Sequence, residues 1–124
     1  MSEGTIYQEH GYQKALAHKI TGIATTGTKL TFTLERPFNN WLLQVYGLNS
    51  MGASQAASAW TVSLKGGFDS EVPATILSHS NSSDSNGDAK TVEGFLAQYV
   101  EVDVSALTLG SAAEIVVVLM GMKQ

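Results

Sequence analysis

The chain has no cysteine. That excludes disulfides, thiol nucleophiles and every zinc site built on thiolates, and it fits synthesis in a reducing cytosol. Basic residues are scarce: seven Lys and Arg stand against eleven Asp and Glu in 124 residues, for a net charge of −4. Binding to nucleic acid by phosphate neutralisation needs a basic stripe, and none occurs. Charged residues make up only 15% of the chain, below the ~25% usual for soluble proteins. No apolar run approaches the ~20 residues of a membrane-spanning helix. Met1-Ser2-Glu3-Gly4-Thr5 lacks the basic-then-apolar order of a secretory leader. Neither a membrane nor a nucleic-acid partner is expected, and no sustained helical period appears. A chain of this length forms one domain and buries roughly 65–70% of its unfolded surface.

What is present is alternation. Leu30, Phe32 and Leu34 interleave with Lys29, Thr31, Thr33 and Glu35. Trp60, Val62 and Leu64 interleave with Thr61, Ser63 and Lys65, and Val100, Val102 and Val104 with Tyr99, Glu101 and Asp103. Period-two patterns of this kind predict half-buried strands. Strands are expected at 15–23, 28–35, 41–46, 59–65, 73–78, 91–95, 97–105 and 113–122. Pro37 lacks a ladder donor and, with Asn39-Asn40, is read as ending the second of these. Residues 47–58 form a small-residue connector, and 79–90 a polar loop. About eight short strands with turn signals between them imply an all-β fold, an antiparallel sandwich of jelly-roll-like character. Residues 1–13 are expected to be an N-terminal arm or edge segment, and 14–124 the sandwich domain.

The last apolar run, Ile115-Val116-Val117-Val118-Leu119-Met120, is apolar on both faces and asks for cover on both sides. One face should enter the core. Val116, Val118 and Met120 on the other, together with Tyr7 and Tyr12 of the arm, are therefore candidate partner contacts.

No constellation of residues points to catalysis. Asp84, Asn86 and Asp88 offer oxygens at alternate positions, but the helix–loop–helix calcium pattern would need a glycine two residues after Gly87 and an acid at Phe95. A solvated turn is the plainer reading. His10, His18 and His79 share no metal-ligand spacing. Leu48-Asn49-Ser50-Met51-Gly52 lacks the first glycine of the nucleophile elbow and has no helix to follow it. Glu101 and Asp103 fall ~7 Å apart on one strand face, which is the pattern of a wet sheet. No catalytic residue, metal or cofactor is therefore expected. Trp41, Tyr46 and Tyr99 could serve as sugar-stacking platforms if they reach the surface. Trp60 fits the core.

The second half of the chain carries a resemblance. It runs through Lys65-Gly66-Gly67-Phe68-Asp69-Ser70, a short strand, a polar loop, Ala97-Gln98-Tyr99-Val100-Glu101-Val102-Asp103-Val104-Ser105-Ala106-Leu107 and a terminal β-branched strand. This resembles the small β-sandwich virion proteins of tailed bacteriophages, most of all the capsid decoration (cement) proteins, over roughly residues 58–121. Asp69-Ser70 departs from their usual Asp-Gly turn. The resemblance implies a non-enzymatic structural protein on the virion surface, made in the host cytoplasm. It also implies a homo-oligomer, dimer or trimer, bound to the major capsid protein. The alternative from another class is a carbohydrate-binding sandwich module of a tail fibre or adhesin.

Overall fold

A computed structural model describes residues 2–9, 12–81 and 86–123, with side chains from 14 onward. Among them there is no helix. Seven strands run in chain order: β1 (Ser2–Glu9), β2 (Tyr12–Ile23), β3 (Gly27–Leu48), β4 (Ala59–Gly67), β5 (Ala74–Ser80), β6 (Asp88–Thr108) and β7 (Glu114–Met122). All pairings are antiparallel, in the order β1-β2-β7-β3-β6-β4-β5. Only β1-β2 and β4-β5 join strands adjacent in sequence. The remaining neighbours require crossovers, as in jelly-roll-like sandwiches.

The two long strands, β3 and β6, turn one continuous sheet into two layers. Gly27–Thr33 pairs with Tyr99–Val104 of β6, whose other edge carries β4. Beyond a break in register at 33–38, Asn40–Val45 pairs with Asp88–Glu93, and its other edge carries β7. Pro37 sits in this break and Gly94, with φ of 83°, lies in the matching stretch of β6. A missing donor and a left-handed glycine bend a strand without ending it. The expected strands 28–35 and 41–46 are therefore one strand, and so are 91–95 and 97–105. The expected eight become six, and β1 makes seven.

Of the arm and the edge segment expected for residues 1–13, β1 takes the second form. Ser2–Glu9 pairs with β2 from Ser2↔Ile20 to Glu9↔Tyr12, as an edge strand. The side chains of Tyr7 and Tyr12 lie outside the described residues.

Inward positions of both layers meet in one apolar cluster. Leu43, Val45, Val62, Leu64, Val100, Val102, Ile115, Val117 and Leu119 are all fully buried within it. Trp60 is buried too, its ring edge-on to that of His79 at 4.8 Å. The connector between β3 and β4 closes one end of this core, contributing Ala57 to it.

The polar loop at 79–90 is more than a solvated link. His79 is buried. Asn81 accepts from the backbone N–H of Trp60 at 3.1 Å and donates to the carbonyl of Ser58 at 3.1 Å. Asn86 accepts from the N–H of Gly47 at 2.8 Å and donates to the Gly47 carbonyl and Ser54 Oγ, both at 2.9 Å. It thus clamps the end of β3 to the connector. Calcium ligation is not what this side chain does here, and Asp84 and Ser85 lie outside the described residues. Asn86→Ala should cost about 1–2 kcal/mol, since it strands the Gly47 N–H and removes one of two donors to the Gly47 carbonyl. Urea denaturation would measure it.

Candidate functional site

The outward positions of β6 form the middle column of a polar grid. Register places Thr33, Tyr99 and Gly67 in one row across β3, β6 and β4, and Thr31, Glu101 and Lys65 in the next. Thr28, Asp103 and Ser63 form the third. The alternation that buries Val100, Val102 and Val104 is what turns Tyr99, Glu101 and Asp103 outward. Tyr99 Oη donates to Glu101 Oε1 at 3.0 Å. Partial desolvation on the sheet, then the hydrogen bond and negative charge of Glu101, raise the phenol pKa above its ordinary value. Lys65 Nζ lies 3.6 Å from Asp103 Oδ2. Gly67 leaves one flank of the tyrosine bare: a Cβ there would meet nothing within 4 Å. The row thus offers an aromatic ring beside open backbone, with two carboxylates, an ammonium and threonine hydroxyls within one or two rows of it.

A second feature lies on the outward face of the other layer. A groove of about 360 Å³ is lined by side chains including Leu42, Met120 and Met122, with Asn40, Thr91 and Glu93 at its polar side. Register sets Met120 beside Leu42 and Ala17, and Met122 beside Asn40 and Ala15. Met120 and Met122 remain 46% and 44% exposed.

The candidates singled out by sequence fall in different places. Trp41 is buried, donating Nε1–H to the carbonyl of Phe95 at 3.0 Å, so it is no sugar platform. Tyr46 is half-buried on β3, paired in register with Val116. Tyr99 is half-buried as well, and it stands in a polar setting beside the open backbone of Gly67. Val116 is a correction: it is fully buried within the single chain and offers no surface to a partner. In register it stands between Tyr46 of β3 and the bulge of β2, which sets Thr21 and Gly22 opposite a single residue. Val118 is half-buried, and Met120 opens onto the groove.

Glu101 and Asp103 are engaged by Tyr99 and Lys65 rather than by each other. His10 lies outside the described residues. His18 stacks on Phe32 at 5.2 Å, and burial lowers its pKa. His18 and His79 thus face different aromatic rings. Among the described residues no three of His, Cys, Asp and Glu gather as metal ligands would. Asn49 closes the turn at residues 49–52, accepting from the N–H groups of Met51 and Ala53.

Sequence reasoning missed the tip of the β4–β5 hairpin. Phe68 and Val72 there are 83% and 89% exposed. The signal was available: two apolar residues sit in a turn bounded by Gly66-Gly67 and Pro73, where a fold has no packing use for them.

No family description matches the sequence, and no curated protein does. Solved structures with related backbones exist. One is a CBM32 carbohydrate-binding module of a family 31 glycoside hydrolase from Clostridium perfringens, with TM-score 0.49, 10% identity, and 99% of this chain and 75% of that one covered. Another is the CBM32 of AlyQ in complex with 4,5-unsaturated mannuronic acid, with TM-score 0.42, 17% identity, and 82% and 75% covered. A third is the K1 cleaved adhesin domain of Lys-gingipain from Porphyromonas gingivalis W83, with TM-score 0.48, 8% identity, and 98% and 89% covered. No residue role passes from these proteins to this chain.

Proposed function

We propose that this protein is a non-catalytic carbohydrate-binding sandwich module, of the tail-fibre or adhesin kind, whose ligand lies across Tyr99. The observation that carries this reading is the Tyr99 row: an aromatic ring beside the bare backbone of Gly67, on a sheet face of carboxylate, ammonium and hydroxyl groups. A pyranose ring has one apolar face and a rim of hydroxyls. The phenol ring stacks on the first, while Glu101 and Asp103 accept from the second and Lys65 donates to it. These polar groups hold one another in place before a ligand arrives, which lowers the entropy cost of binding. A glycan array followed by calorimetry tests the reading. Tyr99→Ala should weaken the best array ligand at least about tenfold, the loss of roughly 1.4 kcal/mol of stacking, while Tyr99→Phe retains most of the affinity. Unchanged affinity in Tyr99→Ala, with the fold intact by circular dichroism, contradicts it.

A second reading keeps the protein on a phage capsid as a decoration protein, bound to the major capsid protein. What favours it is exposed apolar surface for which a sugar has no use: Leu96 on the bend of β6 is 63% exposed, and Met51 on the connector 89%. Co-sedimentation with capsid shells would support this reading, and array binding at Tyr99 without co-sedimentation would remove it.

A further inference from the structure

The polar grid runs off the sheet at its Tyr99 end, and an exposed aromatic residue stands where it ends. Along β4, the row of Lys65 and Glu101 is followed by the row of Gly67 and Tyr99. Gly66 between them turns inward, where a Cβ would meet Ile76 and Ala97, whereas at Gly67 it would meet nothing within 4 Å. Continued alternation would turn Phe68 inward with Gly66. β4 ends at Gly67 instead, and Phe68 stands 83% exposed on the hairpin tip that follows. The tip has a set shape, because Asp69 Oδ1 accepts from the N–H of Glu71 at 3.0 Å. Directly opposed antiparallel residues have Cα atoms about 4.5–5.5 Å apart, and consecutive residues about 3.8 Å. The backbones of Tyr99 and Phe68 therefore come within about 10 Å of each other, with the bare backbone of Gly67 between them.

The charges along this path are mostly of one sign. Glu101 and Asp103 belong to the grid, and Asp69 and Glu71 are exposed at the tip. Lys65 is already engaged by Asp103 at 3.6 Å. Carboxylates accept from sugar hydroxyls in charge-assisted hydrogen bonds, and they repel a sugar that carries a carboxylate of its own.

We propose that Phe68 is a second stacking platform of the Tyr99 site, and that the ligand is an uncharged oligosaccharide running along β4, across Gly67, onto the hairpin tip. This rests on the carbohydrate-binding reading and narrows it to chains of two or more sugars. One sugar ring lies on Tyr99 and a neighbouring ring on Phe68, while Gly67 supplies the low floor between them.

Calorimetry of the full chain with two size series tests this, one of neutral and one of uronate oligosaccharides, each from monosaccharide to hexasaccharide. The weakest ligands are followed by magnetic resonance titration. Within the neutral series the longer members should bind at least about tenfold more tightly than the monosaccharide. Phe68→Ala should remove that gain and leave monosaccharide affinity unchanged, and Phe68→Trp should keep it. Tyr99→Ala should weaken every length. The Gly67 backbone is outside the left-handed region, so Gly67→Val should fold, as circular dichroism would show, yet close the path to the longer chains. Equal affinity at every length overturns the inference and leaves the Tyr99 reading standing. So does a gain that survives Phe68→Ala, or a preference for the uronate series. Binding to neither series overturns both.

Discussion

Gly47→Ala is expected to lower stability by about 3 kcal/mol, a large effect for one methyl group. The added Cβ would fall on the carbonyl oxygen of Gln55 and 3.0 Å from the N of Ala57. Both are backbone atoms of the connector, so no side chain can swing aside. Relief requires the connector to move, and that movement disturbs more than one bond. The Gly47 carbonyl accepts from Gln55 N–H at 3.1 Å, and the Asn86 clamp grips the same residue from the other side. Gly47→Ala and Asn86→Ala should therefore be less costly together than the sum of their separate effects, because each breaks part of the same junction. Denaturation curves of the two single variants and the double variant would show this.

Trp41→Ala is expected to cost about 4–5 kcal/mol and to lower the melting midpoint by more than about 10 °C. The ring lies against Gly121, where an added Cβ would come within 2.7 Å of it. It also lies 6.0 Å from the ring of Phe38. Its Nε1–H holds the Phe95 carbonyl in the stretch where β6 bends. One side chain thus ties the bends of both long strands to β7. Removing it leaves a cavity and an unpaired carbonyl together. Intrinsic fluorescence of Trp41→Ala and Trp60→Ala, followed through denaturation, would separate this site from the other tryptophan.

Much of the core was legible in sequence, because burial on a sheet follows parity. The alternations at 60–64 and 100–104 pick out buried residues, as does the odd-numbered face of β7, although Ser63 and Val116 on the opposite parity are buried as well. The bends were not legible. Pro37 and Gly94 signal a local break in pairing, and a strand that ends and a strand that changes layer lose the same few ladder bonds. For residues 1–13 the sequence left an arm and an edge segment both open, and β1 is the second: a polar segment pairs when a partner edge is free, and the partner is fixed by the fold. Asn86 has the composition of a solvated loop residue, and only the position of Gly47 makes it a clamp.

The site was legible in part. Tyr99 was named as a platform, and its setting beside Gly67 depends on the pairing of β4 with β6, which lies outside local pattern. Val116 was assigned to a partner because a run apolar on both faces asks for cover. The β2 bulge opposite it had no local signal beyond Gly22. The likeness to phage virion proteins was carried by alternation and turn residues, features that antiparallel sandwiches of many functions share.

Residue-resolved magnetic resonance of the isotope-labelled chain, titrated with oligosaccharides selected on a glycan array, tests the central claim most directly. The account predicts saturable shifts gathered at Thr31, Thr33, Lys65, Gly67, Tyr99, Glu101 and Asp103, with Met120 and Met122 unmoved. Absence of binding to every oligosaccharide, or shifts centred away from Tyr99, would contradict it.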